Sequence, residues 1–86
     1  MRHKVTDIKI ERIENDPKGL LGFCSFTVDG AFRFDGVAMF SRMDGGLRLS
    51  WPEKKRGLKK IKTAFPVHPA SFIEIESQIA EVLNNA

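Results

Sequence analysis

Over its first half the chain alternates apolar and polar residues with a period of two, and toward its C-terminus the period lengthens to that of a helix. Residues 5–13 read as a first strand: Ile8 and Ile10 alternate with Asp7, Lys9 and Glu11, and Ile13 falls out of phase, the mark of a bulge. Asn15-Asp16-Pro17-Lys18-Gly19 is strong turn chemistry. Residues 20–28 form a second strand, with Leu20, Cys24, Phe26 and Val28 on one face and Leu21 and Phe23 on the other. Asp29-Gly30 is a hairpin signal. It leads into a third strand over 31–40, which sets Phe32, Phe34, Ala38 and Phe40 on one side and Arg33, Asp35, Val37 and Met39 on the other.

Asp44-Gly45-Gly46 predicts a second turn, and 47–51 a short alternating strand closed by Pro52, which cannot donate to a ladder. A fifth strand over 58–65 is weaker, and would place Lys60 and Lys62 on one face. From Pro69 the spacing of Phe72, Ile75, Ile79, Val82 and Leu83 is the stripe of an amphipathic helix. Its start has two readings: a capping box from Ser71 to Glu74, or Pro69 at the first helical position after His68. The sum is an α+β fold of one domain over residues 1–86: an antiparallel sheet of four to five strands, then one C-terminal helix. One helix covers one face of such a sheet, yet the second and third strands carry Phe and Leu on both. A homodimer through the sheet is the expected cover for the other face.

Charge changes the picture at one place. Residues 1–41 balance six basic against six acidic side chains, 42–62 carry eight basic and two acidic, and 63–86 carry only three Glu. The formal +3 therefore hides a concentrated patch in Trp51-Pro52-Glu53-Lys54-Lys55-Arg56-Gly57-Leu58-Lys59-Lys60-Ile61-Lys62. Such a patch attracts polyanions; the alternative is a solvated loop of surface lysines. Most Phe residues fall at inward strand positions and read as core. Trp51, at a strand end beside the basic run, is expected to be half exposed, either touching ligand or capping the sheet edge.

Other chemistries find little support. Cys24 is the lone cysteine, so no disulfide forms, and with His3 and His68 far apart in sequence there is no zinc-ligand spacing. No Ser or Cys has a base at a recognisable spacing, and Glu74 and Glu76, two apart on a helix, do not face each other. No phosphate-loop motif occurs. These features point away from an enzyme, a metal, a cofactor and a small-molecule substrate. No apolar run approaches a membrane span and the N-terminus lacks an apolar leader, so a cytoplasmic protein without membrane association is expected.

Val5-Thr6-Asp7-Ile8-Lys9-Ile10-Glu11-Arg12-Ile13-Glu14-Asn15-Asp16, Phe26-Thr27-Val28-Asp29, Gly45-Gly46 before Leu47-Arg48-Leu49, and Trp51-Pro52-Glu53-Lys54-Lys55 together resemble the SpoVG (stage V sporulation protein G) family. That family carries a Met-Pro-Ser-Lys-Arg-like segment at the same place, and Ala64-Phe65-Pro66-Val67 is similar to its Ala-His-Pro-Ile before the C-terminal helix. The resemblance runs over residues 5–83, carried by the ordered set of motifs. It implies a small bacterial regulator, linked to sporulation and septation, that dimerises through its sheet and binds DNA and RNA. The family's basic segment falls on Lys54, Lys55 and Arg56, and its helix start on residues 68–72. Glu53 beside the basic segment, the short loop after Arg56, and Phe72-Ile73-Glu74 in the helix depart from the family pattern.

The reading from sequence is a homodimeric nucleic-acid-binding regulator, for DNA or RNA or both. Lys54, Lys55, Arg56, Lys59, Lys60 and Lys62, joined by Arg48 and Trp51, form its binding surface. The alternative is a protein-interaction module of regulation or septation that docks an acidic partner without binding nucleic acid. The polar face of the helix, Glu74, Gln78 and Glu81, offers no cation for base edges.

Overall fold

A computed structural model describes residues 3–14 and 18–85. The α+β reading holds. Strands β1 (Val5–Arg12), β2 (Leu20–Val28), β3 (Phe32–Ser41) and β4 (Leu47–Ser50) form an antiparallel sheet in the order β1-β2-β3-β4. Strands β5 (Glu53–Arg56) and β6 (Lys59–Lys62) form a separate two-stranded sheet, and helix α1 spans Pro69–Asn85. The start of the predicted turn, Asn15-Asp16-Pro17, lies outside the described residues. The Asp29-Gly30 turn forms as predicted: both residues are left-handed (φ 54 and 65), the requirement of a type I′ turn, and Ala31 N–H donates to the Val28 carbonyl at 3.0 Å.

Three bulges decide which side chains reach the core. In β1 the slip lies between Thr6 and Lys9, at Asp7 (φ 51), and not at Ile13, which lies beyond the strand. This keeps Val5, Ile8 and Ile10 on one face although Val5 and Ile8 are three apart. In β2 a slip between Leu20 and Gly22 turns Leu21 onto the core and leaves Leu20 opposite Phe40 on the outer face. In β3 the slip falls at Asp35–Gly36, where Gly36 takes φ 63. The alternation expected for this strand is corrected there. Phe34 lies on the core face, and after the bulge Val37 and Met39 follow it inward while Ala38 and Phe40 turn outward. Phe32, expected to share the inward side with Phe34, is 65% exposed.

The core is Val5, Cys24, Phe26, Val28, Val37, Met39, Leu47, Leu49 and Trp51 from the strands and their ends, closed by Ile75, Ile79 and Leu83. The helix contributes every fourth residue, as its stripe predicts, with Phe72 and Ala80 flanking and Val82 at the rim. Burial pushes the Cys24 thiol up to about 11.

Hydrogen bonds at both sheet edges fix the helix. On β1, Val5 N–H donates to Gln78 Oε1 at 3.0 Å and Gln78 Nε2 donates to the His3 carbonyl at 2.7 Å, so one amide side chain mimics a neighbouring strand. The His3 N–H donates to Glu74 Oε2 at 2.6 Å, and Arg12 reaches the Leu83 carbonyl near the helix end. On β4, the Leu49 N–H donates to Glu76 Oε2 at 3.1 Å inside the core boundary, and Arg42 Nη2 meets the other carboxylate oxygen at 2.7 Å. Glu76 is thus a buried charge with both oxygens satisfied. The helix begins at Pro69, with Ser71 N–H donating to the His68 carbonyl at 3.0 Å. The capping-box alternative does not form: Ser71 Oγ bonds His3 Nε2 at 2.8 Å and Glu74 serves the His3 backbone.

Candidate nucleic-acid interface

The basic run predicted as a loop leading into a fifth strand over 58–65 is a β-hairpin. Its arms, Glu53–Arg56 and Lys59–Lys62, are joined by Gly57-Leu58, with Gly57 at φ 59 in the position that type II′ turns reserve for glycine. The hairpin is closed at its root by Thr63, whose N–H donates to the Pro52 carbonyl at 2.8 Å and whose hydroxyl donates to the same oxygen at 3.2 Å. All eight strand residues are exposed, and neither arm packs against any other described element.

The register sorts the cations. Glu53 pairs with Lys62 and Lys55 with Lys60 on one face; Lys54 pairs with Ile61 and Arg56 with Lys59 on the other. Two of the four cross-strand pairs therefore set like charges directly opposite each other, which destabilises a ladder. Among the described residues none of these six cations is ion-paired with a carboxylate. An isolated two-stranded hairpin is marginal even with favourable pairs. This one holds a dense cationic ladder away from the body, with Leu58 fully exposed at its tip.

Lys54, Lys55, Arg56, Lys59, Lys60 and Lys62 are thus gathered on one projection. Arg48 is not among them. It lies on the outer face of the sheet, its guanidinium 4.9 Å from the centre of the Phe40 ring across the β3–β4 ladder. The expectation of a half-exposed Trp51 is overturned: only 2% of it is exposed. Its ring meets Phe26, Phe34 and Phe72 edge-on, with centroids 5.9, 5.3 and 6.2 Å away, and is not presented for stacking on a ligand. The aromatic residues that do reach the surface near the hairpin root are Phe32 and Phe65. They border a cleft of about 290 Å³ that also touches Phe34, Trp51, Val67 and His68. In the sequence Phe65 stands out only as part of a weak strand and of the Ala64-Phe65-Pro66-Val67 segment, neither of which marks it as a site residue; the signal for it was its place just beyond the hairpin, before Pro66.

Elsewhere, Asp29, Asp35, Asp44, Glu74 and Glu76 each have a hydrogen-bond partner. A hydrogen bond from the His3 ring (2.8 Å), then one from the Lys4 N–H (2.8 Å), holds the Asp29 carboxyl below the usual carboxylate range. Among the described residues no cluster of three or more His, Cys, Asp or Glu could hold a metal ion, and no helix is long and apolar enough to cross a membrane. Compared with known proteins, the chain matches no family model and no curated protein, so the SpoVG resemblance rests on the motifs quoted above.

Proposed function

We propose that the protein is a SpoVG-like regulator that binds nucleic acid through the phosphates, using the 53–62 hairpin. One observation carries this reading: Lys55–Lys60 and Arg56–Lys59 are like-charge pairs on a fully exposed ladder that nothing in the described chain compensates. A row of phosphates laid along the hairpin relieves that repulsion and releases counterions, so binding strengthens steeply as salt falls. With no cationic recognition helix, contacts position the strand and carry little sequence information. Glu53, opposite Lys62, tempers the field at the root.

Dimerisation belongs to the same proposal. The outer face of the sheet sets Phe23 against Ala38 and Leu20 against Phe40, with Phe23 37% exposed and no helix over it. A second copy covering this face would double the number of hairpins. The rival, a module docking an acidic protein, draws on Leu58 and Ile61, apolar residues exposed among the cations.

Salt-titrated binding to single- and double-stranded DNA and RNA, beside light scattering, tests the reading. Lys54→Ala/Lys55→Ala/Arg56→Ala should weaken binding to every sequence by a similar factor and flatten the logarithmic salt slope by up to ~0.9 per lost duplex phosphate contact. Glu53→Gln should tighten it modestly. A triple variant that binds like the wild type, with the same slope, would transfer the hairpin to the protein-docking reading.

A further inference from the structure

The cleft at the hairpin root sits where a bound strand would pass. Trp51 and Pro52 lead into β5, residues 63–65 lead out of β6, and the Thr63–Pro52 hydrogen bond ties both to the cleft wall. The walls are aromatic: Phe34 and Trp51 line it, while Phe32 (65% exposed) and Phe65 (48% exposed) stand at its mouth. Solvent-exposed phenylalanines are costly to leave uncovered, and here two of them flank one opening.

Three features narrow the occupant. At about 290 Å³ the cleft is at the lower bound of ligand clefts, suited to one planar ring system and too small for a helix or a folded peptide segment. The neighbouring field is set by six hairpin cations, which favour a polyanionic carrier. Among the described residues the one carboxylate at the cleft is Asp29, and both its oxygens are engaged, by the His3 ring and the Lys4 N–H, so it is not a free acceptor for a ligand. We infer that the cleft receives a single unpaired nucleobase, stacked against Phe65 and Phe32, from a strand whose phosphates lie along the hairpin. This deepens the proposed function by naming the form of nucleic acid: single-stranded, since a paired base within a duplex has no free face to insert. The imidazole of His68, exposed at the cleft, offers a polar partner for the base edge.

The test compares an oligothymidylate of about twelve nucleotides, an abasic strand with the same phosphates, and a duplex of equal length. The wild type should bind the base-bearing strand about 5- to 150-fold more tightly than the abasic one, the range of one stacked base. Trp51, the chain's one tryptophan, should change its emission with the first strand only. Phe32→Ala/Phe65→Ala should erase the difference and leave abasic affinity and salt slope unchanged. Both rings are exposed, so the fold should persist, and Phe65→Tyr should retain the preference. Equal affinity of the wild type for base-bearing and abasic strands overturns the inference, as does an alanine double variant that keeps the preference or a Phe65→Tyr variant that loses it. If the Lys54/Lys55/Arg56 triple variant still loses binding in that case, the phosphate reading stands without the cleft. A wild type that binds no strand at all ends both.

Discussion

The body of the molecule and its hairpin are both antiparallel ladders, built on opposite principles. Across β2 and β3 the facing pairs are Cys24–Val37 and Phe26–Phe34, the latter with rings stacked at 5.4 Å, and their burial supplies the energy that holds the fold. Across β5 and β6 they are Lys55–Lys60 and Arg56–Lys59, which bury nothing and repel. The first ladder carries stability and the second spends it locally on a field. On the proposed function, stability and binding therefore reside in separable parts of the chain, and mutations should sort accordingly.

The sharpest way to break this comparison is Ile79→Ala. Ile79 projects from the helix into the core and is wholly buried, so chemical denaturation should show a loss of about 2–5 kcal/mol. The Lys54/Lys55/Arg56 triple alanine variant should stay within about 0.5 kcal/mol of wild type in the same experiment. A hairpin variant that destabilised as much as Ile79→Ala would make the two regions one cooperative unit.

Next in size is Glu76→Ala, which removes the acceptor of the buried Leu49 N–H and should cost about 1–3 kcal/mol by thermal or urea unfolding. The Arg42→Ala change should cost less, since that guanidinium is partly in water. Smaller again, and opposite in sign for its two readouts, is Lys55→Glu. Facing Lys60, a carboxylate turns a repulsive pair into an attractive one, about 0.2–1 kcal/mol of local stability. Hydrogen exchange over residues 53–62 should slow while nucleic-acid affinity falls; a slowing with unchanged affinity would cut the link between field and binding.

The smallest effect is one of pH, at the tie between the first strand and the helix. Asp29 is more acidic in the folded chain than in the unfolded one, so its contribution is fully present above the ordinary Asp value of about 4 and is lost as pH falls through the lower, folded value. Asp29→Asn should lower stability slightly at neutral pH, where that contribution is fully present, and flatten the acid limb of the stability profile below about pH 4. An acid limb identical to wild type would show that the His3–Asp29 contact does not form in solution.

Much of the body is legible in sequence because its signals are local. Alternation, Asp29-Gly30 and the helical stripe each specify an element without reference to anything distant. Bulges are less visible. Asp35-Gly36 looks like two more positions in a strand, and only pairing with β2 shows that they absorb one residue of register, sending Val37 rather than Ala38 inward. Glu76 falls beside the apolar stripe and reads as surface; the edge N–H of Leu49 that brings it inside comes from 27 residues away. At the site, the composition of the cationic patch is plain, but its shape is not. Two arms of four residues around Gly57-Leu58 are a hairpin signal by spacing, masked because the arms lack the alternation by which buried strands are recognised. Trp51 misleads for a related reason: a ring before proline and lysines looks like surface, whereas three phenylalanines from distant segments close over it.

The burial of Cys24 gives the molecule a built-in clock. With its thiol pushed up to about 11, only about one side chain in ten thousand is thiolate at pH 7, and that fraction is shielded in a strand paired on both sides. A thiol reagent can therefore react at an appreciable rate only with chains whose core has opened around Cys24, whether a strand or the helix has come away, and there is no second cysteine to blur the record. Labelling kinetics would count openings of the core one molecule at a time, while the hairpin, which has no such reporter, could bind and release its proposed partner without advancing the count.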